Sequence, residues 1–347
     1  MDDVNVAQRA ARIGVVIPCY RVTRHILAVI LKVGPEVDTI LCVDDACPDR
    51  SGDFIEANCK DPRVVVLRND VNLGVGGAVI KGYREALRRN LDVVVKIDGD
   101  GQMDPALVLR FVSPIISGAA DYTKGNRFYS PELLRQMPNI RIFGNAILSF
   151  MSKLSSGYWD IFDPTNGYTA ISASVLDILR LDKIDKRYFF ESDMLFRLNI
   201  IRAKVVDIPM FSRYADEESG LKISKVIGPF LLGNLRNLGK RIVYNYYLRD
   251  FNVASVEMIT SIALLTFGIT FGLYKWISAG AEGEIATAGT VMLSALPIMI
   301  GVQLFLSALS YDVSSTPSEP IHRRLSDKHW VPVIKAHDNL PESQRLL

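Results

Sequence analysis

Two stretches near the end of this 347-residue chain constrain its fold more than any other feature: residues 258–274 and 285–311 carry no charged side chain. A helix needs about 20 mostly apolar residues to cross a bilayer, and each stretch, with 253–256 and 276–277 flanking the first, is long enough. The alternative is a pair of buried core helices, but two such runs in succession favour spanning. Residues 278–284 form a short turn between them, with Glu282 and Glu284 and no Lys or Arg. Lys240, Arg241 and Arg249 precede the first run, and Arg323 and Arg324 follow the second. The positive-inside rule then puts both chain ends in the cytoplasm and the acidic turn outside.

The 49% hydrophobic content and mean hydropathy of +0.17 reflect this C-terminal concentration of apolar residues; the first two thirds have the balance of an α/β domain. With 40 Lys+Arg against 38 Asp+Glu the formal net charge is +2, so no nucleic-acid partner is called for. Residues 226–248 mix apolar and aromatic side chains with Arg236, Lys240 and Arg241 at spacings that let them share a helical face. This predicts an amphipathic helix in the membrane interface, with a core helix of the soluble domain as the alternative. The N-terminus, MDDVNVAQRAAR, lacks the apolar core of a signal peptide, which leaves the first domain in the cytosol. The expected division is a soluble domain over 1–225, a juxtamembrane helix over 226–250, two spans within 251–312 and a cytoplasmic tail over 313–347. Cys19, Cys42, Cys47 and Cys59 have no Cys-x-x-Cys spacing and read as reduced thiols. Three of the four histidines, His322, His329 and His337, lie in the tail, which makes a Cys/His metal site the weaker reading.

Short apolar runs at 13–17, 39–43, 64–67 and 93–97 alternate with helical patterns, notably 77–89 and 105–116. Continuous β-branched runs separated by helices predict a mostly parallel sheet covered on both faces, with ligands beyond the carboxyl ends of its strands. Unusual residues gather at those ends: Pro18 and Tyr20 after the first run, Asp44 and Asp45 after the second, Asp98 and Asp100 after the fourth. In Lys96-Ile97-Asp98-Gly99-Asp100-Gly101-Gln102, two carboxylates one residue apart leave a buried strand between glycines. They can reach a hard cation that also takes oxygens from a diphosphate, and the glycines allow close approach. The segment Asn72 to Ala78 fails as a dinucleotide fingerprint, since Val79 occupies the third glycine position and the segment does not follow directly on the first strand. Its glycines open the helix toward Arg89, either to offer N–H groups to a phosphate or to make a tight turn.

Taken together, Val16 to Tyr20, Val43-Asp44-Asp45, Asn72 to Ala78, Asp98-Gly99-Asp100, Gly125-Asn126-Arg127 and Asp163 to Tyr168 resemble, in order and spacing, the family 2 glycosyltransferases. The two C-terminal runs and Gln102 make the chain most similar to the polyprenyl-phosphate glycosyltransferases, over residues 13 to about 312. The resemblance implies an α/β, A-type glycosyltransferase fold with a Rossmann-like mostly parallel sheet, followed by interfacial helices and a two-helix transmembrane hairpin. It implies that Pro18, Tyr20 and Asp44 or Asp45 contact the base and ribose of a nucleotide diphosphate sugar, that Asp98 and Gly99 approach its ribose or diphosphate, and that Arg127 faces a phosphate. Asp100 and Gln102, with Asp98, would hold Mg2+ or Mn2+. Two departures stand out: Arg21 where the family has Asn, and Ala46-Cys47 where it has Gly-Ser.

On the acceptor side, Glu191 and Asp193 open a helical pattern where many such enzymes keep a catalytic base. A lipid phosphate is already an anion at pH 7 and needs no strong base, so Asp193 is expected to orient an arginine or the sugar. Arg213, Ser219 and Lys222 match, with a longer spacer, an Arg then Ser and Lys pattern that would hold an acceptor phosphate at the membrane. The expected reaction is inverting transfer of one sugar to polyprenyl phosphate at a lipid bilayer, with room for a homo-oligomer. Transfer to the hydroxyl of a lipid-linked sugar and a non-catalytic sugar-binding subunit are the alternatives. A processive polysaccharide synthase fits less well, because more spans and a Gln-x-x-Arg-Trp motif are missing.

Overall fold

The computed structural model describes residues 10–129, 139–210, 223–283 and 285–325. Packing divides the chain into two compact units, Met1–Asn237 together with Pro317–Leu347, and Leu238–Thr316.

The first unit is built on one sheet. Strands β1 (Ile13–Cys19), β2 (Thr39–Asp44), β3 (Val64–Arg68) and β4 (Val93–Lys96) coincide with the four apolar runs, and β5 (Tyr122–Asn126), β6 (Thr169–Ser172) and β7 (Val205–Pro209) complete it. The order is β3-β2-β1-β4-β6-β5-β7. β6 runs antiparallel to β4 and β5, and the other neighbours are parallel. The runs are apolar without alternation because both faces are covered. Val15 and Ile17 join one buried cluster, with α1 (Ile26–Leu31) and α4 (Val108–Ile116), while Val16 joins the other, with α3 (Val75–Arg88). Helices α2 (Ser51–Asn58), α5 (Asn139–Ser156), α6 (Ala173–Ile178) and α7 (Phe190–Ile200) fill the remaining connections.

This topology aligns the candidate residues. The carboxyl ends of β1, β2, β4 and β5 share one edge with the amino end of the reversed β6, so Tyr20, Asp44, Asp98, Arg127 and residues 163–168 gather there. At the opposite edge the fully buried Asp121 accepts from the backbone N–H groups of Lys204, Ile321 and His322, and pairs with His322 Nδ1 at 2.7 Å. Residues 317–325 are thereby fastened to the first unit.

Helix α8 (Ile223–Ile242) begins in the first unit. Its Phe230 ring meets Phe189 edge-on, Asn234 Oδ1 accepts from Ser155 Oγ, and Asn237 Nδ2 donates to Asp193, so one side of the helix is core while Leu231, Leu232 and Arg236 are exposed. In the second unit, Arg241 does not share the exposed face of Arg236 and Lys240. It is 3% exposed and binds both carboxylate oxygens of Asp312, at 2.6 and 3.0 Å.

The two apolar runs form α9 (Val253–Glu282) and α10 (Ala288–Ser314). The first helix continues through most of the expected turn, because the single Gly280 among good helix formers weakens it without stopping it; it stops where Gly283 takes a left-handed φ of 68°. The helices approach closely at small residues: Ser261 Oγ donates to Gly301 O, Ser294 Oγ to Gly268 O, and a methyl at Gly268 would lie 2.7 Å from Ile298. Only 11% of each apolar window is buried, which a core helix of a soluble protein would not tolerate.

Candidate active site

β4 ends in a lysine after three valines, and that lysine organises the site. Lys96 is 1% exposed, and its Nζ lies 2.9 Å from Asp98 Oδ1 and 3.2 Å from Glu191 Oε1, the latter presented by the first turn of α7. Burial pulls the ammonium pKa down, but the two carboxylates more than reverse this and leave it above its ordinary value. Gly167 makes the arrangement possible, since a methyl there would lie 2.5 Å from Lys96 Nζ and 2.6 Å from Asp98 Oδ2. Asp98 is therefore held in place before any ligand arrives.

Beyond it the chain turns at Gly101, where φ is 80°, and Asp100 Oδ1 accepts from Gln102 N at 2.9 Å. Asp98, Asp100 and Gln102 are half-buried. Among the described residues no three His, Cys, Asp or Glu side chains are grouped to enclose a metal. An all-oxygen set of two carboxylates and one amide suits Mg2+ or Mn2+ that draws its remaining ligands from a substrate diphosphate and water.

Arg127 follows β5 at the same edge. Its Nε donates to Asp163 Oδ2 at 2.7 Å and its Nη2 to Asp163 Oδ1 at 3.0 Å, a bidentate pair whose carboxylate is fully buried. The Arg127 side chain is 30% exposed, and the bidentate pair fixes the plane of its guanidinium. Asp163 also accepts from Asn166 Nδ2 and Thr165 Oγ1.

On the β1–β2 side, Pro18 is half-buried and Tyr20 is 44% exposed. Asp44 and Asp45 are engaged within the chain. Asp44 accepts from Cys47 N and Gly52 N at 2.7 and 2.6 Å; Asp45 accepts from Leu73 N, Gly74 N and Asn69 Nδ2. These carboxylates shape the loops at the carboxyl ends of β1 and β2, and Asp45 connects the β2 loop to the glycine segment that opens α3. The two departures from the family pattern meet here, as Arg21 N donates to Cys47 Sγ at 3.0 Å. Arg21 and Ala46 have φ of 59° and 50°, left-handed values where Asn and Gly are less strained. All four cysteines are free.

Asp193 is also occupied. It is fully buried; Oδ2 accepts from Asp185 N and Arg197 Nε, both at 2.9 Å, and Oδ1 accepts from Asn237 Nδ2 at 2.9 Å. Its arginine partner is Arg197 on the same helix, and Glu191 is the α7 carboxylate that pairs with Lys96 on the Asp98 side. Arg213, Ser219 and Lys222 lie outside the described residues. Sequence reasoning assigned no role to Lys96 or to Asp163 as the partner of Arg127. A lysine closing a run of buried valines was the available signal for the first, since such a position demands a partner.

A model of glycosyl transferase family 2 matches residues 14–179. An undecaprenyl-phosphate mannosyltransferase of Micrococcus luteus is 34% identical over 178 residues, 51% of this chain and 72% of that protein. A UDP-N-acetylglucosamine–dolichyl-phosphate N-acetylglucosaminyltransferase of Methanococcus voltae is 27% identical over 230 residues, 62% of this chain and 91% of its own length. Among solved structures, mannosyl-3-phosphoglycerate synthase of Rubrobacter xylanophilus superposes with a TM-score of 0.53 at 13% identity, covering 70% of this chain and 77% of that one, a likeness of fold.

Proposed function

Since the chain belongs to glycosyl transferase family 2, we propose that it transfers one sugar, with inversion, from a nucleotide diphosphate sugar to a polyprenyl phosphate at the cytoplasmic face of a membrane. The observation that carries this reading is the shared sheet edge, where the fixed Asp98 and the fixed guanidinium of Arg127 stand beside an all-oxygen donor set. The names of the relatives support a lipid phosphate as acceptor. Two helices long and apolar enough to span support a membrane enzyme.

In this reading Pro18 and Tyr20 line the base and ribose, and Asp44 and Asp45 hold the loops that enclose them. Asp98 and Gly99 meet the ribose or diphosphate. Asp100 and Gln102, with Asp98, hold Mg2+ or Mn2+, which would offset the charge on the diphosphate. An oxygen of the lipid phosphate attacks the anomeric carbon and forms the new C–O bond. The anomeric bond to the diphosphate breaks, and the nucleoside diphosphate departs with the electron pair. No proton has to be removed, which leaves Glu191 and Asp193 free of a general-base role. Arg127 faces the oxygens where charge develops, and Arg213, Ser219 and Lys222 receive the acceptor phosphate. The chain then comprises a cytosolic catalytic domain, a juxtamembrane helix, two spans and a cytoplasmic tail.

Purified protein supplied with a nucleotide sugar and Mg2+ or Mn2+ should release nucleoside diphosphate when polyprenyl phosphate is added. Asp100→Ala or excess chelator should abolish the release. No release with any donor would support the non-catalytic alternative, and full activity in Asp100→Ala would remove Asp100 from the metal set.

A further inference from the structure

A polar row crosses the sheet just inside the candidate site, buried from Lys96 to Lys124 and half-buried at Asp207. Lys96 on β4 is registered with Thr169 on β6, Thr169 with Lys124 on β5, and Lys124 with Asp207 on β7. Asp207, at the end of the row, has no part in the reaction proposed above. Its Oδ2 accepts from Asn126 Nδ2 at 3.1 Å and from Phe162 N at 2.9 Å. Asn126 immediately precedes Arg127, and Phe162 immediately precedes Asp163. One oxygen thus ties together the two backbone segments whose next residues form the bidentate pair. The second oxygen, Oδ1, is buried and has no hydrogen-bond partner among the described residues.

We propose that Asp207 is a positioning residue for the reaction: by clamping the Asn126 and Phe162 segments it fixes the Arg127–Asp163 pair against the departing diphosphate. This rests on the reading of Arg127 given above. The clamp is tightest when Asp207 is ionised, because an N–H bond to a carboxylate is roughly twice as strong as one to a neutral acid. The groups facing it are Lys124 from β5, which favours its charge, and Asp163 and Asp160 from the segment before β6, which oppose it. Burial is the largest influence and pushes its pKa up to about 6, while burial lowers that of Lys124 to about 8. The unpartnered Oδ1 is where the proton resides at low pH. A buried carboxylate with a raised pKa costs folding free energy when ionised. The sign follows: its stabilising contribution is complete below the unfolded value near ~4 and is lost as pH rises through about 6. A group kept for stability alone would not be arranged this way, whereas one that must be charged to hold Arg127 would.

The test is the ratio of Asp207→Asn to wild-type kcat from pH 5 to 8, with polyprenyl phosphate as acceptor. Titration of the lipid phosphate is common to both proteins and cancels. The amide imitates the neutral acid, so the ratio should be near 1 at pH 5 and fall about fivefold or more by pH 7.5, with donor KM within twofold. The variant should melt at or above the wild-type temperature at pH 7.5. A pH-independent ratio, or a variant that melts several degrees lower, would overturn the proposal, the latter marking Asp207 as a structural brace. Should Asp207→Asn fail to fold, Asn126→Ala should lower kcat by a similar factor at pH 7.5 with donor KM unchanged, and wild-type kcat in that variant would overturn it. Absence of transfer by the wild-type enzyme would instead defeat the underlying reading of the reaction.

Discussion

Gly167 has no side chain because Lys96 and Asp98 occupy the space one would fill. Gly167→Ala should therefore separate the ion pair rather than unfold the protein, since the atoms it meets are the tips of flexible side chains. We expect kcat to fall at least tenfold while the melting temperature changes little; an active variant would show that the Lys96–Asp98 pair is not needed. Asp193 belongs to the opposite class. In Asp193→Asn an amide nitrogen would face Asp185 N and Arg197 Nε, or Asn237 Nδ2 if flipped, and losing charged hydrogen bonds of this kind costs about 2 kcal/mol. Thermal melts should show that loss, while kcat per folded molecule stays within severalfold of wild type. A stable but inactive variant would make Asp193 the general base and favour a hydroxyl acceptor. The distinction between Glu191 and Asp193 was not legible in the sequence: residues two apart on a helix point about 200° apart, and which one faces the site depends on how α7 is rotated against the sheet.

At the scale of elements, the strands were legible because a short, unbroken β-branched run that ends in acids suits a strand covered on both faces and is too brief for a helix of its own. The helices over 75–88 and 108–116 began and ended near their expected bounds. What the pattern could not supply was pairing across distance, since Arg127 finds Asp163 36 residues on and Lys96 finds Glu191 95 residues on. The same holds for Arg241, whose charge looked interfacial by spacing but is neutralised by Asp312 from α10. Both side chains are under a tenth exposed, so the pair matters chiefly when one member is removed. Asp312→Ala should destabilise the second unit by about 3–5 kcal/mol, read as earlier heat-induced unfolding in detergent, because the buried Arg241 loses its bidentate carboxylate. Asp312→Leu combined with Arg241→Met should recover most of the loss. Equal melting of the single variant and wild type would mean that water replaces the carboxylate there.

For the whole molecule, topology and acceptor are the claims that matter. Helix α9 runs about 45 Å, longer than a hydrocarbon core of about 30 Å, so its last turns and the connection that follows should emerge on the far side. With the native thiols replaced, Gly280→Cys should react with an impermeant maleimide added outside intact cells; labelling only after lysis would reverse the orientation. The acceptor is tested most directly by giving the purified enzyme one labelled nucleotide sugar, Mg2+ or Mn2+, and polyprenyl phosphate in parallel with a lipid-linked sugar, and measuring the mass of each lipid product. The expected result is polyprenyl phosphate heavier by a single sugar, with the lipid-linked sugar unchanged. Addition of sugar to the lipid-linked acceptor with none on the lipid phosphate would contradict the proposed reaction.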